Sequence, residues 1–174
     1  MKYILNKLSN TNFRIKIWVT LSIIILILSN VNCNTQTDKI KITEDQVKQT
    51  IHDFFASIEI GSELNTNDYI TDDFKIVELG GPYTLDEFWA VVAESLGDAV
   101  PVSRKWELSD WLVSIDENSA HVSYKNNGTF VMSVDGEEVT TNPVWLESGY
   151  LILDEDKLRI KFFQSEEVLS LIHI

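Results

Sequence analysis

Ala120-His121-Val122-Ser123-Tyr124-Lys125 and, beyond Gly128, Phe130-Val131-Met132-Ser133-Val134 hold a single two-residue phase. Val122, Tyr124, Phe130, Met132 and Val134 fall on one side. His121, Ser123, Lys125, Thr129 and Ser133 fall on the other, which is the alternation of a β-strand with one face on a core. Outward from this stretch, runs of the same period begin at Trp106 and are separated by three acidic turn signals, Asp116-Glu117-Asn118, Asp135-Gly136 and Asp154-Glu155-Asp156. The spacing predicts a four-stranded antiparallel meander. Gly128 is the natural place for the long strand to bend, and Pro143 is expected at an edge or a bulge of the third strand. In the last strand Leu158, Ile160 and Phe162 are expected on one face, with Arg159 and Lys161 on the other.

Upstream the period changes to that of a helix. Thr43-Glu44-Asp45-Gln46 is a capping box, and Val47, Ile51, Phe54, Phe55 and Ile58 follow on one helical face that ends near Gly61. Thr84-Leu85-Asp86-Glu87 is a second capping box, with Phe88, Val91, Val92 and Leu96 behind it and Gly97 as its stop. Between the helices, Tyr69 to Phe74 reads as a helical turn and Lys75 to Leu79 as a short strand closed by Gly80-Gly81-Pro82.

The 174 residues suffice for one targeting segment and one domain. Lys and Arg total 14 against 27 Asp and Glu, and four of the basic residues (Lys2, Lys7, Arg14, Lys16) precede position 33. The remainder is strongly acidic without a basic run, which speaks against nucleic acid as a partner. Those four basic residues and the apolar run Ile17 to Leu28 match a secretory signal and are short for a spanning helix. Cys33, the sole cysteine, follows at the head of a polar stretch. The arrangement resembles a bacterial lipoprotein signal, with Asn30 and Asn32 departing from the usual pattern. It implies a lipid on Cys33 and attachment to a membrane of the cell envelope; an ordinary cleaved signal and a secreted or periplasmic product is the alternative. A single cysteine excludes an internal disulfide. The expected organisation is a signal segment (1–32), a tether (33–42), a domain (43–168) and a tail (169–174).

The order of elements across 43–168 resembles the nuclear-transport-factor-2-like superfamily. Ser119-Ala120-His121-Val122 and Asp156-Lys157-Leu158-Arg159-Ile160-Lys161-Phe162-Phe163-Gln164-Ser165 are similar to hairpin motifs of its SnoaL-like, ketosteroid-isomerase-related group. Leu158 stands where that pattern has Trp and Gln164 where it often has His. The resemblance implies an α+β, cone-shaped fold, a curved antiparallel sheet wrapped around N-terminal helices with an apolar cavity at the open end. The group holds isomerases, cyclases and dehydratases as well as proteins without known catalysis, so fold alone leaves the chemistry open.

Acid–base chemistry on a ketone needs a carboxylate base and a donor for the developing enolate oxygen. Asp72, Asp73 and Glu78 are the weak candidates for the base, against the alternative that they cap a turn or face solvent. Tyr69, Trp89, Tyr124 and Gln164 are the candidates for binding a small apolar ligand at the mouth of the cone, against simple core packing for the aromatics. The change at Gln164 favours binding over catalysis, because an amide cannot exchange a proton near neutral pH. His52, His121 and His173 lack metal-ligand spacing, and no motif calls for a cofactor. Three functions stay open: a non-catalytic envelope module for small ligands or protein contacts, an isomerase, cyclase or dehydratase using carboxylates, and an immunity-type or structural protein whose cone is filled by side chains. An open cone in which an acid faces a Tyr would favour the enzyme. If Tyr150 and Ile152 point inward, then Trp145, Leu151 and Leu153, with Val131 and Phe163, point outward and form an apolar patch suited to a homodimer through the outer sheet face.

Overall fold

The computed structural model describes residues 41–173. The signal segment, Cys33 and nearly all of the tether lie outside the described residues. Among those described, no helix is long and apolar enough to cross a membrane.

The chain runs through helix α1 (Glu44–Ser57), a one-turn 3-10 helix (Thr66–Asp68), strands β1 (Ile70–Glu78) and β2 (Gly81–Tyr83), helix α2 (Leu85–Leu96), and then β3 (Val100–Ile115), β4 (Ser119–Val134), β5 (Glu137–Asp154) and β6 (Lys157–His173). Both capping boxes form. The Thr43 hydroxyl accepts from the Gln46 amide at 3.2 Å while Gln46 Oε1 accepts from the Thr43 amide at 2.9 Å. Thr84 and Glu87 repeat the exchange at 3.3 and 2.8 Å. Each box satisfies two orphan donors and sets where its helix starts.

The six strands make one sheet in the order β2-β1-β6-β5-β4-β3. The meander β3 to β6 is antiparallel throughout, as its turn signals predict, while β1 enters parallel to β6. The sheet is therefore mixed. Of Tyr69 to Phe74, expected as a helical turn, only Tyr69 belongs to one, as the C-cap of the turn at Thr66–Asp68, and Ile70 to Phe74 are the start of β1. Leu79 and Gly80 both take positive φ (51° and 84°) and form the two-residue connection of a β1–β2 hairpin, so the strand ends one residue before Leu79. The expected tail is part of β6, which runs to His173.

The core lies between α1 and the sheet. Val47 and Ile51 from the helix meet Val122, Leu151 and Ile160, all essentially without exposure, and Phe54, Phe55, Phe74 and Phe163 pack ring against ring beside them. The β4 phase holds as far as Met132, and its inward face also carries Asn126, fully buried. In β5 the phase is the reverse of that expected: Trp145, Glu147, Gly149 and Leu151 point inward, and Tyr150 and Ile152 do not. β5 takes this phase from β4, with which it pairs in one constant register that sets Val122 opposite Gly149 and Tyr124 opposite Glu147. The irregularities of the β5–β6 ladder at Val144/Trp145 and Tyr150/Leu151 each place an extra residue in β6, where one residue of slip moves every following side chain to the other face. The second of them also turns Phe162 outward (38% exposed) and Phe163 inward. Trp145, Leu151 and Phe163 thus belong to the interior, and the outward patch built on them does not form; the exposed large apolar residues of the sheet are Val100, Val102, Leu112, Ile115, Val134, Leu146, Phe162 and Val168 instead. Pro143 stands in β5 between β4 and β6, not at an edge, at a point where pairing with β4 lapses between Val144 and Thr141. Gly128, across that lapse, makes room for a ring: a Cβ there would lie 2.7 Å from the Trp145 indole.

Candidate functional site

α2 closes over the sheet without filling it. Phe88 alone on this helix is buried; Leu85, Trp89, Val92 and Leu96 stay partly open and Ala93 is exposed, and all five border a cavity of about 360 Å³. The opposite walls come from α1 (Phe54, Phe55, Ile58), from β3 and β4 (Pro101, Trp106, Phe130, Met132) and from β5 and β6 (Trp145, Phe163). Such a volume lies at the small end of ligand pockets, roughly 300–1,000 Å³. Polar groups are few: Glu78, Glu147, Ser165, Ser103 and Arg104.

Three of these, Glu78, Glu147 and Ser165, form a row across neighbouring strands with Tyr124 behind them. Tyr124 on β4 stands opposite Glu147 on β5, and Glu147 opposite Ser165 on β6. One step beyond the Val77–Gln164 pair, Glu78 on β1 lies beside Ser165. Both Glu147 oxygens accept from Asn126 Nδ2 at 3.2 Å, and one accepts from Ser165 Oγ at 3.3 Å. The Tyr124 hydroxyl lies beside the same carboxyl without forming a well-aligned hydrogen bond, and Asn126 Oδ1 is likewise enclosed and unpartnered.

Glu147 is 4% exposed, and among the described residues no cation lies beside it. Desolvation pushes its carboxyl up to about 8, the nearby Glu78 charge adds to this, and the contacts from Asn126, Tyr124 and Ser165 only partly oppose it. Desolvation first, and the Glu167 charge second, push Glu78 up to about 7. Burial likewise raises the Tyr124 phenol well above its ordinary value. Near neutral pH the cavity therefore holds one carboxyl that is mostly protonated and one that is shared between both forms.

The remaining sequence candidates divide. Glu78 and Trp89 line the cavity, and Tyr124 sits behind it against Glu147. Asp72 and Asp73 are exposed; Asp73 pairs with Lys161 and accepts from the Thr71 hydroxyl at 2.9 Å, contacts that hold its carboxyl below the ordinary range. Tyr69 packs at the edge of the core outside the cavity, and its main-chain carbonyl accepts from the Ile160 amide at 2.8 Å. Gln164 does not line the cavity; with Leu79, Gly80, Glu166 and Glu167 it borders a second hollow, which Glu78 and Ser165 also border. His52 lies against Trp111 and His121 against Tyr150, and neither lines the cavity. Among the described residues no group of His, Cys, Asp or Glu could hold a metal ion. Glu147 and Arg104 were missed. The signal for Glu147 was an acid at a period-2 position with Trp145 and Gly149, visible only if β5 is read in its true phase.

No protein-family model matches the chain, and no curated protein does. Solved structures do match. Hexachlorocyclohexane dehydrochlorinase LinA-type3 from Novosphingobium barchaimii superposes with a TM-score of 0.61 at 8% identity, covering 74% of this chain and 88% of that one. A protein from Streptomyces avermitilis, provisionally assigned as a dehydratase of the nuclear-transport-factor-2-like family, superposes with a TM-score of 0.57 at 16% identity, covering 72% and 95%. One from Shewanella frigidimarina, provisionally assigned as a ketosteroid isomerase, gives 0.51 at 14% identity over 68% and 92%. Sheet order, helices and cavity thus define the nuclear-transport-factor-2-like cone, as the sequence resemblance implies. At these identities the likeness is one of fold.

Proposed function

We propose that the cone binds a small, largely apolar molecule and that Glu78 and Glu147 move a proton on it, in the manner of an isomerase or dehydratase. The observation that carries this reading is Glu147. A carboxyl enclosed with only neutral groups beside it is costly as an anion and useful as a neutral donor. The Glu78 carboxylate would take a proton from a carbon next to a carbonyl group, while the protonated Glu147 donates to the oxygen where charge develops. Return of the proton to another carbon completes an isomerisation; departure of a leaving group from the adjacent carbon completes an elimination. The provisional assignments of the neighbours as dehydratase and isomerase agree with this class without deciding it. The reading favours the enzyme over the binding module because the argument against catalysis rested on Gln164, which lies outside the cone.

The test is hydrogen–deuterium exchange in D₂O at the carbon beside the carbonyl of enolisable ketones and lactones that bind the chain. Exchange is expected to rise as Glu78 ionises near pH 7 and to fall as Glu147 ionises near pH 8. Glu78→Gln should bind and not exchange, and Glu147→Gln should slow exchange by about 10²–10⁴-fold. Binding without exchange in the unaltered chain would overturn catalysis and leave the non-catalytic ligand-binding module.

A further inference from the structure

Among the described residues Arg104 is the one basic residue on the cavity wall, and its guanidinium makes neither an ion pair nor a hydrogen bond with them. Its contact is with an aromatic face: the guanidinium carbon lies 5.1 Å from the centre of the Trp89 ring. Nε is enclosed and unpartnered, and burial holds the group below its ordinary pKa. In a chain with 27 acidic residues, a half-buried arginine without a carboxylate is an expensive arrangement unless something else supplies the acceptor. The Trp89 ring attracts the cation but offers no acceptor to its N–H groups, and the planar fork of those groups matches the two oxygens of a carboxylate.

Arg104 also stands apart from the acid row. It pairs with Phe130 on β4, whereas Glu147 pairs with Tyr124, six positions away along the same strand, and the intervening wall is made of rings such as Trp106 and Trp145. We propose that the ligand is an apolar carboxylate, held at one end by Arg104 beside Trp89, with its apolar body along the aromatic wall toward Glu147. This rests on the ligand-binding reading of the cone given above, and names the polar end of what binds there.

The test uses the full chain and two acid–alcohol pairs of matched skeleton, decanoate with decanol and 1-naphthoate with 1-naphthalenemethanol, followed by calorimetry. Each acid is expected to bind about tenfold or more tightly than its alcohol. Arg104→Gln should abolish that preference while leaving alcohol affinity unchanged, with an unaltered melting temperature showing that the fold is intact, and Arg104→Lys should keep part of it. Equal binding of acids and alcohols, or a preference that survives in Arg104→Gln, overturns the role of Arg104 and leaves the cavity reading standing. If none of the four binds, the cavity reading fails and the proposal fails with it.

Discussion

The two helices lie on the same sheet, begin with the same kind of cap and carry comparable apolar faces, yet they end in opposite states. α1 sinks its face into the sheet until Val47, Ile51, Phe54 and Phe55 are buried; α2 buries Phe88 and leaves the rest of its face over a void. The first surface is finished by the chain's own side chains. The second is left for another molecule, and the few polar groups of the interior gather around it. An apolar stripe thus marks what a helix needs to cover, without saying whether the cover comes from the same chain.

The largest break in this contrast should come from truncating both sides alike. Leu151→Ala, at a site without exposure, should cost about 2–5 kcal/mol in denaturant unfolding, whereas Val92→Ala on the cavity wall should cost less than about 1 kcal/mol because few contacts are lost. Equal losses would mean that α2 is packed as tightly as α1. A second test separates the halves by pH. Folding raises the pKa of both Glu78 and Glu147, so the stability they permit is whole at and below the ordinary glutamate value and is lost as pH climbs through about 7 and 8. Glu147→Gln should flatten that decline and, at pH 9, exceed the unaltered chain by on the order of 3 kcal/mol. A variant whose stability tracks the unaltered chain at every pH would place the Glu147 carboxyl in contact with water. The smallest effect on folding is expected from Ala93→Leu, which extends a side chain into the void: stability should change by less than about 1 kcal/mol while ligand binding by calorimetry is lost. Retained binding would move the ligand elsewhere.

The period-3.6 stripes, both capping boxes and the three acidic turns were enough to place α1, α2 and the meander, because each of these signals is local. Two kinds of information were not local. A bulge leaves no mark in composition, so the outward turn of Phe162 could not be read from alternation, and the phase of β5 is set by its pairing with β4; by composition alone Tyr150 and Ile152 looked like the better core residues beside a Glu and a Gly. The same inversion concealed Glu147 and turned Trp145 and Leu151 into an imagined outer patch. Ile70 to Phe74 was misread because Asp72-Asp73 resembles a cap, and only pairing with β6 makes it strand. Of the site, Glu78 and Trp89 were legible from their elements, while Tyr69, Asp72, Asp73 and Gln164 fell outside the cavity once the register was set. Arg104 carries no motif at all, and its meaning comes from the ring beneath it.

The parallel join of β1 to β6 also orders events in time. The hairpins from β3 to β6 unite neighbours in sequence and can zip within microseconds or so of one another, but Ile76 meets Phe163 only after almost the whole domain has been made and a long loop has closed. Glu78 rides on that last strand to dock. Until it does, Glu147 and Ser165 face a groove open on one side, and the partially assembled chain displays an unpaired β6 edge of the sort that recruits other chains. Conditions that delay the closing step should therefore expose the protein to aggregation before they touch the finished cone.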